Sequence, residues 1–246
     1  LIMNQIRRAK PMLGSYVNLI LQADCSVDYL LDLSKDVFAA MDRVEKITNF
    51  SDPDSELSKI NVKAQKGFIT ISDEMHRVIS FGLSFSELSD GLFNFSVTSL
   101  TEDDFLLKKK FIKANWKDII LKKKRIKFKK KLLIKLDDVA IGFAIDSGIS
   151  VLPKNINAVI NVGGDIAMTN WKKKKVSIKN PSDRYTTFCQ LEMCAPAVST
   201  YENFFLNNES NLENKVSSVK HSLSSISVFA RDCMTADSLI KVASTE

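Results

Sequence analysis

Apolar and polar residues alternate along Tyr16–Leu21, the period-two signature of a strand with one buried face. The period then changes. Leu30, Leu31, Val37, Phe38, Met41, Val44 and Ile47 recur at helical spacing, and Asp28 is placed to cap that helix. Ser51-Asp52-Pro53-Asp54-Ser55 reads as a turn, with Asp54 or Ser55 capping a short helix through Leu57 and Ile60. Phe68–Ile71 is a short strand. Ser72 opens a second long helix carrying Met75, Val78, Ile79, Leu83 and Leu88, which stops near Gly91. Met75 stands where a capping box would have Glu or Gln, so the cap is partial on local sequence alone.

From Trp116 the pattern becomes that of short strands. Trp116–Leu121, Arg125–Phe128 and Leu132–Leu136 read as three strands joined by Lys-rich turns. A helix from about Asp138 carries Val139, Ile141, Ala144, Ile145 and Ile149 and ends before Pro153. Ala158–Val162 is a strand of buried type. Further strands are expected around Val176, Phe188 and Val198, then a polar loop from Asn207 to Ser218, a strand Leu223–Ala230, and a final helix from about Thr235. Strand runs and long helices without a regular strand-helix-strand alternation predict an α+β fold, taken as one domain over residues 1–246. No internal repeat is visible.

Composition adds limits rather than a function. The 246 residues are 45% hydrophobic and 26% charged, an ordinary balance for a globular chain. No run approaches the roughly 20 apolar residues of a membrane helix. The net charge of +6 gathers in lysine clusters at 108–110, 122–125, 129–131 and 172–175. These clusters admit a nucleic-acid surface or attraction to anionic lipid. No aromatic-basic recognition motif accompanies them, so solvated hairpin tips and strand edges are the expected use, and no nucleic-acid partner is expected. Four cysteines without a C-x-x-C pair and only two histidines, His76 and His221, argue against a zinc site.

Gly163-Gly164, directly after a buried strand, is either a tight turn or a place where backbone N–H groups approach a phosphate or ring. Its neighbours in sequence favour the second use. Six segments in order resemble the flavin transferase family typified by ApbE: Pro11–Tyr16, Phe50–Asn61, Leu88–Val97, Ala140–Asp146, Asn161–Ile166 and Asp232–Leu239. The resemblance runs from about Arg7 to Ala243, with a shortened stretch between Leu100 and Trp116. It implies an ApbE-like, T-fold-like domain of mixed and antiparallel sheets with packed helices. The implied reaction is transfer of the FMN half of FAD to a Thr or Ser of a target flavoprotein, with Mg²⁺ near the pyrophosphate. It also implies a periplasmic setting, with membrane anchoring through a segment ahead of Leu1.

Carried over residue by residue, the resemblance assigns flavin-nucleotide contacts to Met12, Phe50, Asn61, Gly163, Gly164 and Asp165. It assigns metal ligation to the Ala140 carbonyl and Asp237, with Lys241 at the third ligand position. Several positions depart from the family pattern. Ile141 replaces a Lys, Asp137 and Asp138 replace two glycines, and Asn94 replaces an acid. The family His stretch has no counterpart between Phe205 and Ser222, and His221 falls too near the last strand to fill its role. No catalytic residue is therefore assigned. Lys241 and Asp237, one helical turn apart, form either a surface ion pair or an ammonium standing in the metal position. Two readings stay open: an FMN transferase, impaired by these substitutions, or a protein that binds a flavin nucleotide or a partner without turnover.

Overall fold

The computed structural model describes residues 3–97, 114–180, 183–202 and 225–244. The chain opens with the hairpin β1 (Asn4–Met12) and β2 (Ser15–Ala23), followed by α1 (Val27–Thr48), α2 (Glu56–Lys63), β3 (Ile69–Thr70), α3 (Asp73–Leu88) and β4 (Ser96–Val97). After a 3₁₀ turn at Trp116–Asp118 come β5 (Ile119–Lys122), β6 (Arg125–Phe128) and β7 (Leu133–Ile134), then α4 (Asp137–Ser150). The remaining elements are β8 (Asn157–Val162), β9 (Asp165–Met168), β10 (Lys175–Asn180), β11 (Asp183–Glu192), β12 (Ala197–Glu202), β13 (Ser225–Ala230) and α5 (Cys233–Ala243). The expected α+β class is what the structure shows.

A six-stranded antiparallel sheet in the order β1-β2-β8-β9-β12-β13 organises the molecule. The strict alternation of β8, with Ala158, Ile160 and Val162 buried, turns one face toward the helices. Val17, Leu19 and Leu21 of β2 join it there, packed with α1 and α4 in the main core. The opposite face carries Val159, Ile166, Met168 and Val198, covered by Val176, Ile178 and Leu191 of the β10–β11 hairpin. α4 lies between α1 and α5 against the sheet and is apolar around much of its circumference, as a central helix must be. Its Gly148 lets Ile160, Met41 and Val37 come to 3.1–3.2 Å from where a Cβ would stand.

Several expectations need correction. Ser26, not Asp28, caps α1 by accepting the Tyr29 N–H, and Asp28 sits in the first turn, where it still opposes the helix dipole. The stretch Trp116–Leu121 begins as a 3₁₀ turn before β5. The three lysine-linked strands do not form one meander: β5 and β6 pair with β3, whereas β7 pairs with the distant β4. α5 begins at Cys233, with Asp232 accepting the Thr235 N–H. β1 and β9 were not anticipated. The polar loop 207–218, His221 and the lysines 108–110 lie outside the described residues. No helix among the described residues is long and apolar enough to cross a membrane.

Candidate functional site

At one end of the large sheet two hairpin turns lie side by side. Leu13-Gly14 joins β1 to β2 with φ of 56° and 69°, and Gly163-Gly164 joins β8 to β9 with φ of 60° and 113°. Two-residue turns with positive φ at both positions match the twist of the strands they join, which is why glycine recurs here. A Cβ on Gly163 would stand 3.7 Å from Ser15 Oγ, so the turns are neighbours. The Gly164 N–H donates to Asn161 Oδ1 at 3.3 Å.

Next to the first turn opens a cavity of about 620 Å³, within the roughly 300–1,000 Å³ range of small-molecule sites. Leu13 and Gly14 form one wall. Glu45, Thr48 and the loop Asn49–Ser51 form a second, and Lys135, Asp137, Ala140 and Ile141, at the start of α4, form the third. The walls are pinned locally. The Leu13 N–H donates to Glu45 Oε1 at 2.8 Å, tying the hairpin turn to α1. Ser51 N–H donates to Asn49 Oδ1 at 2.9 Å, and Ser58 Oγ donates to the Phe50 carbonyl at 3.2 Å, fixing the loop that presents the half-buried Phe50 ring. Lys135 and Asp137 pair across the rim at 2.9 Å.

The nine residues singled out from sequence divide by location. Phe50 and Ala140 line the cavity, and buried Met12 immediately precedes its Leu13–Gly14 wall. Gly163, Gly164 and Asp165 stand at the neighbouring turn. Asp165 accepts a hydrogen bond from buried Ser199; burial raises its pKa, and the Ser199 bond and then the Lys241 ammonium oppose that rise. Asp237 is buried on α5, and Lys241 is exposed one turn later. Asn61 commits its amide to backbone: Nδ2 donates to the Ile134 carbonyl at 2.9 Å, and the Ile134 N–H donates to Oδ1 at 2.8 Å.

Other polar residues of the quoted segments build the frame. Glu56 accepts from both the Ser72 N–H and the Ser72 hydroxyl at 2.6 Å, while Ser72 Oγ accepts the Met75 N–H. The acid missing from the local capping box of α3 is thus delivered from α2. Gly142 and Asp146 occupy one face of α4 and receive the start of α5. A Cβ on Gly142 would meet Cys233 O and Met234 Cα at 2.7 Å. That close approach lets Asp146 accept the Cys233 and Met234 N–H groups at 2.8 and 2.9 Å. Burial pushes the Asp146 carboxyl up to about 6, against the lowering effect of those two bonds. The buried Cys233 thiol is pushed well above its usual value by desolvation and by Asp146, Asp165, Asp237 and Asp232, which leaves it unreactive.

Comparison with known proteins settles the lineage. The sequence profile of the ApbE family matches residues 13–245. The chain belongs to the ApbE family. Solved ApbE structures share the fold at low identity. The ApbE protein of Thermotoga maritima superimposes with a TM-score of 0.78 at 18% identity, covering 97% of this chain and 86% of the other. The flavin transferase ApbE of Vibrio cholerae gives 0.79 at 16% identity, with 98% and 86% covered. The flavinyl transferase ApbE of Pseudomonas stutzeri gives 0.76 at 16% identity, with 98% and 83% covered. No curated protein matches significantly.

The implied Mg²⁺ can be tested against this donor set. Magnesium takes oxygen ligands in near-octahedral geometry. The three implied positions here supply the Ala140 carbonyl, the Asp237 carboxylate and an ammonium, and the Lys241 charge already acts on Asp165. Among the described residues, no three His, Cys, Asp or Glu side chains converge as a metal site. The residues present do not fit a magnesium ion held in the implied way. Leu13, Gly14, Glu45 and Lys135 were not foreseen as part of the site. A glycine ending a strand was the available signal for the turn; nothing local pointed to Glu45.

Proposed function

We propose that this ApbE-family protein binds FAD in the cavity bounded by Leu13–Gly14, Phe50 and Ala140–Ile141 and transfers its FMN half to a hydroxyl of a target flavoprotein. In that reaction the acceptor oxygen forms a bond to the flavin-side phosphorus, the bond from that phosphorus to the bridging oxygen breaks, AMP leaves, and the hydroxyl proton passes to solvent. The observation that carries the reading is the position of the cavity. It lies at the sheet end, walled by the Leu13–Gly14 turn whose neighbour is the Gly163–Gly164 turn, in a chain of a family whose solved members from Vibrio cholerae and Pseudomonas stutzeri are named flavin and flavinyl transferases.

Each wall has a use in this reading. The Phe50 ring offers a stacking face to an isoalloxazine. The turn at Leu13–Gly14, held by Glu45, keeps the opposite wall rigid, and rigidity lowers the ordering cost of binding. Lys135 supplies positive charge at the rim. The expected acceptors are exported redox proteins, on the periplasmic side.

A second reading, flavin binding without turnover, is favoured by the ammonium of Lys241 in place of an oxygen donor. A monovalent cation neutralises phosphate but is a poor Lewis acid. One experiment separates the two. The purified protein is incubated with FAD and an acceptor flavoprotein, with and without Mg²⁺, and AMP and covalently fluorescent acceptor are measured. AMP release matched by acceptor labelling supports transfer; stoichiometric FAD binding without AMP supports the second reading. Neither binding nor AMP release would reject both.

A further inference from the structure

Strand β1 forms an edge of the six-stranded sheet: among the described residues it pairs with β2 and with no other strand. Its register fixes which backbone groups face outward. Met12 and Ser15 flank a two-residue turn and form a hydrogen-bonded pair, so the even-numbered residues from Asn4 to Met12 spend their N–H and C=O groups on β2. Gln5, Arg7 and Ala9 therefore present N–H and C=O away from the sheet. Pro11, which has no N–H, occupies the next outward position, where a proline costs the ladder nothing.

The side chains along this edge are basic. Arg8 and Lys10 project toward α1, where Arg8 donates to Ser34 Oγ at 2.7 Å and the two cations stand 5.4 and 5.8 Å from the Phe38 ring centroid. They border a groove of about 340 Å³ shared with Lys35, Ala39 and Asp42. The acids here are engaged elsewhere: Asp32 pairs with Lys35, and Asp42 with Lys46. Arg7 projects to the opposite face of the sheet. Arg7, Arg8 and Lys10 have no ion pair among the described residues.

We propose that β1 takes up an extended, acidic segment of a partner protein as an added strand. Backbone pairing with Gln5, Arg7 and Ala9 supplies the register, and acidic side chains at neighbouring positions of the incoming strand, which point to opposite faces, meet Arg8 and Lys10 on one face and Arg7 on the other. A second copy of the chain is a poor occupant, because β1 against β1 sets like charges opposite one another. This surface is independent of the flavin reading.

The test uses the full chain and a fluorescein-labelled ten-residue peptide of repeating Thr-Glu-Glu-Val, which puts acids on both faces of an extended strand, followed by anisotropy. Three outcomes are expected. The peptide binds saturably. An N-methylated peptide of the same sequence and charge, blocked along one backbone edge, binds about tenfold more weakly or worse. The combined variant Arg7→Glu, Arg8→Glu, Lys10→Glu, checked for native circular dichroism, also loses about tenfold or more, and the loss in wild-type affinity with salt disappears with it. No binding, equal binding of the N-methylated peptide, or an unchanged charge-reversed variant would overturn the proposal. So would tight binding to phosphatidylglycerol vesicles with no affinity for the peptide.

Discussion

Two faces of α4 tell different stories. Toward α5, Gly142 and Asp146 keep the residues that the neighbouring backbone demands: no Cβ at the contact, and a carboxylate for two N–H groups. Toward the cavity, the same helix presents Asp137 and Ile141, the two positions at which the sequence resemblance implied Gly and Lys. One seven-residue segment, Ala140–Asp146, thus holds a joint and a ligand wall within two helical turns. The joint is constrained by contacts inside the chain, which any change would break. The wall is held more loosely: among the described residues Asp137 makes only an exposed ion pair and Ile141 is partly buried against the core, so the exposed part of the wall is freer to change with the ligand's requirements. Substitution at its exposed end, Asp137, leaves the fold intact and acts on affinity or chemistry.

The contrast can be broken most severely at the joint. Gly142→Ala should destabilise the protein by about 3 kcal/mol in urea denaturation, because the new methyl meets backbone rather than a movable side chain. A change below about 0.5 kcal/mol would mean that α4 and α5 are less tightly docked than drawn.

Asp146 gives the next test, through pH. Its carboxyl is raised from 3.8 to about 6 in the folded state, so the fold binds the proton more tightly than the unfolded chain does. Its contribution is therefore greatest below pH 3.8 and is lost as pH rises through about 6. Measured as wild type against Asp146→Asn, the stability difference should shift by about 3 kcal/mol over that interval, in the direction of a relatively weaker wild type at higher pH. A pH-independent difference would contradict the buried-carboxylate assignment.

Smaller effects sharpen the picture. Glu56→Ala should cost about 1 kcal/mol by removing the acceptor that completes the cap of α3, read as a lowered melting temperature. On the cavity wall, Asp137→Asn should leave stability within about 0.5 kcal/mol and raise FAD affinity only about two- to threefold, because the exposed ion pair it breaks is screened by solvent. A large loss of stability from the wall substitution would erase the distinction between the two faces.

What was legible in the sequence follows the same division. Long helices and the buried strand β8 announce themselves by period, and Ser55 and Ser72 were readable as caps. β1 was not, because Arg7, Arg8 and Lys10 break the apolar alternation of an edge strand whose buried anchors are only Ile6 and Met12. The partner of β7 was not readable either: β4 lies far away in sequence, and a local lysine-rich turn suggested a nearer neighbour. At the site, Phe50 and Ala140 were found through ordered motifs. The roles of Glu56, Asn61 and Asp146 were hidden because each depends on a backbone group 16, 73 or 87 residues away. Glu45 was hidden for the same reason: nothing near it in sequence shows that its carboxylate holds the Leu13 turn.

The most direct measurement is a calorimetric titration of FAD into the wild-type protein and the Phe50→Ala variant. The predicted result is saturable binding to wild type, and affinity about tenfold weaker in the variant through loss of the stacking face, measured at a temperature where circular dichroism shows the variant folded, because Phe50 also packs against the core. FAD binding indifferent to Phe50→Ala would remove the flavin from this cavity, and no binding by the wild-type protein would contradict the functional reading itself.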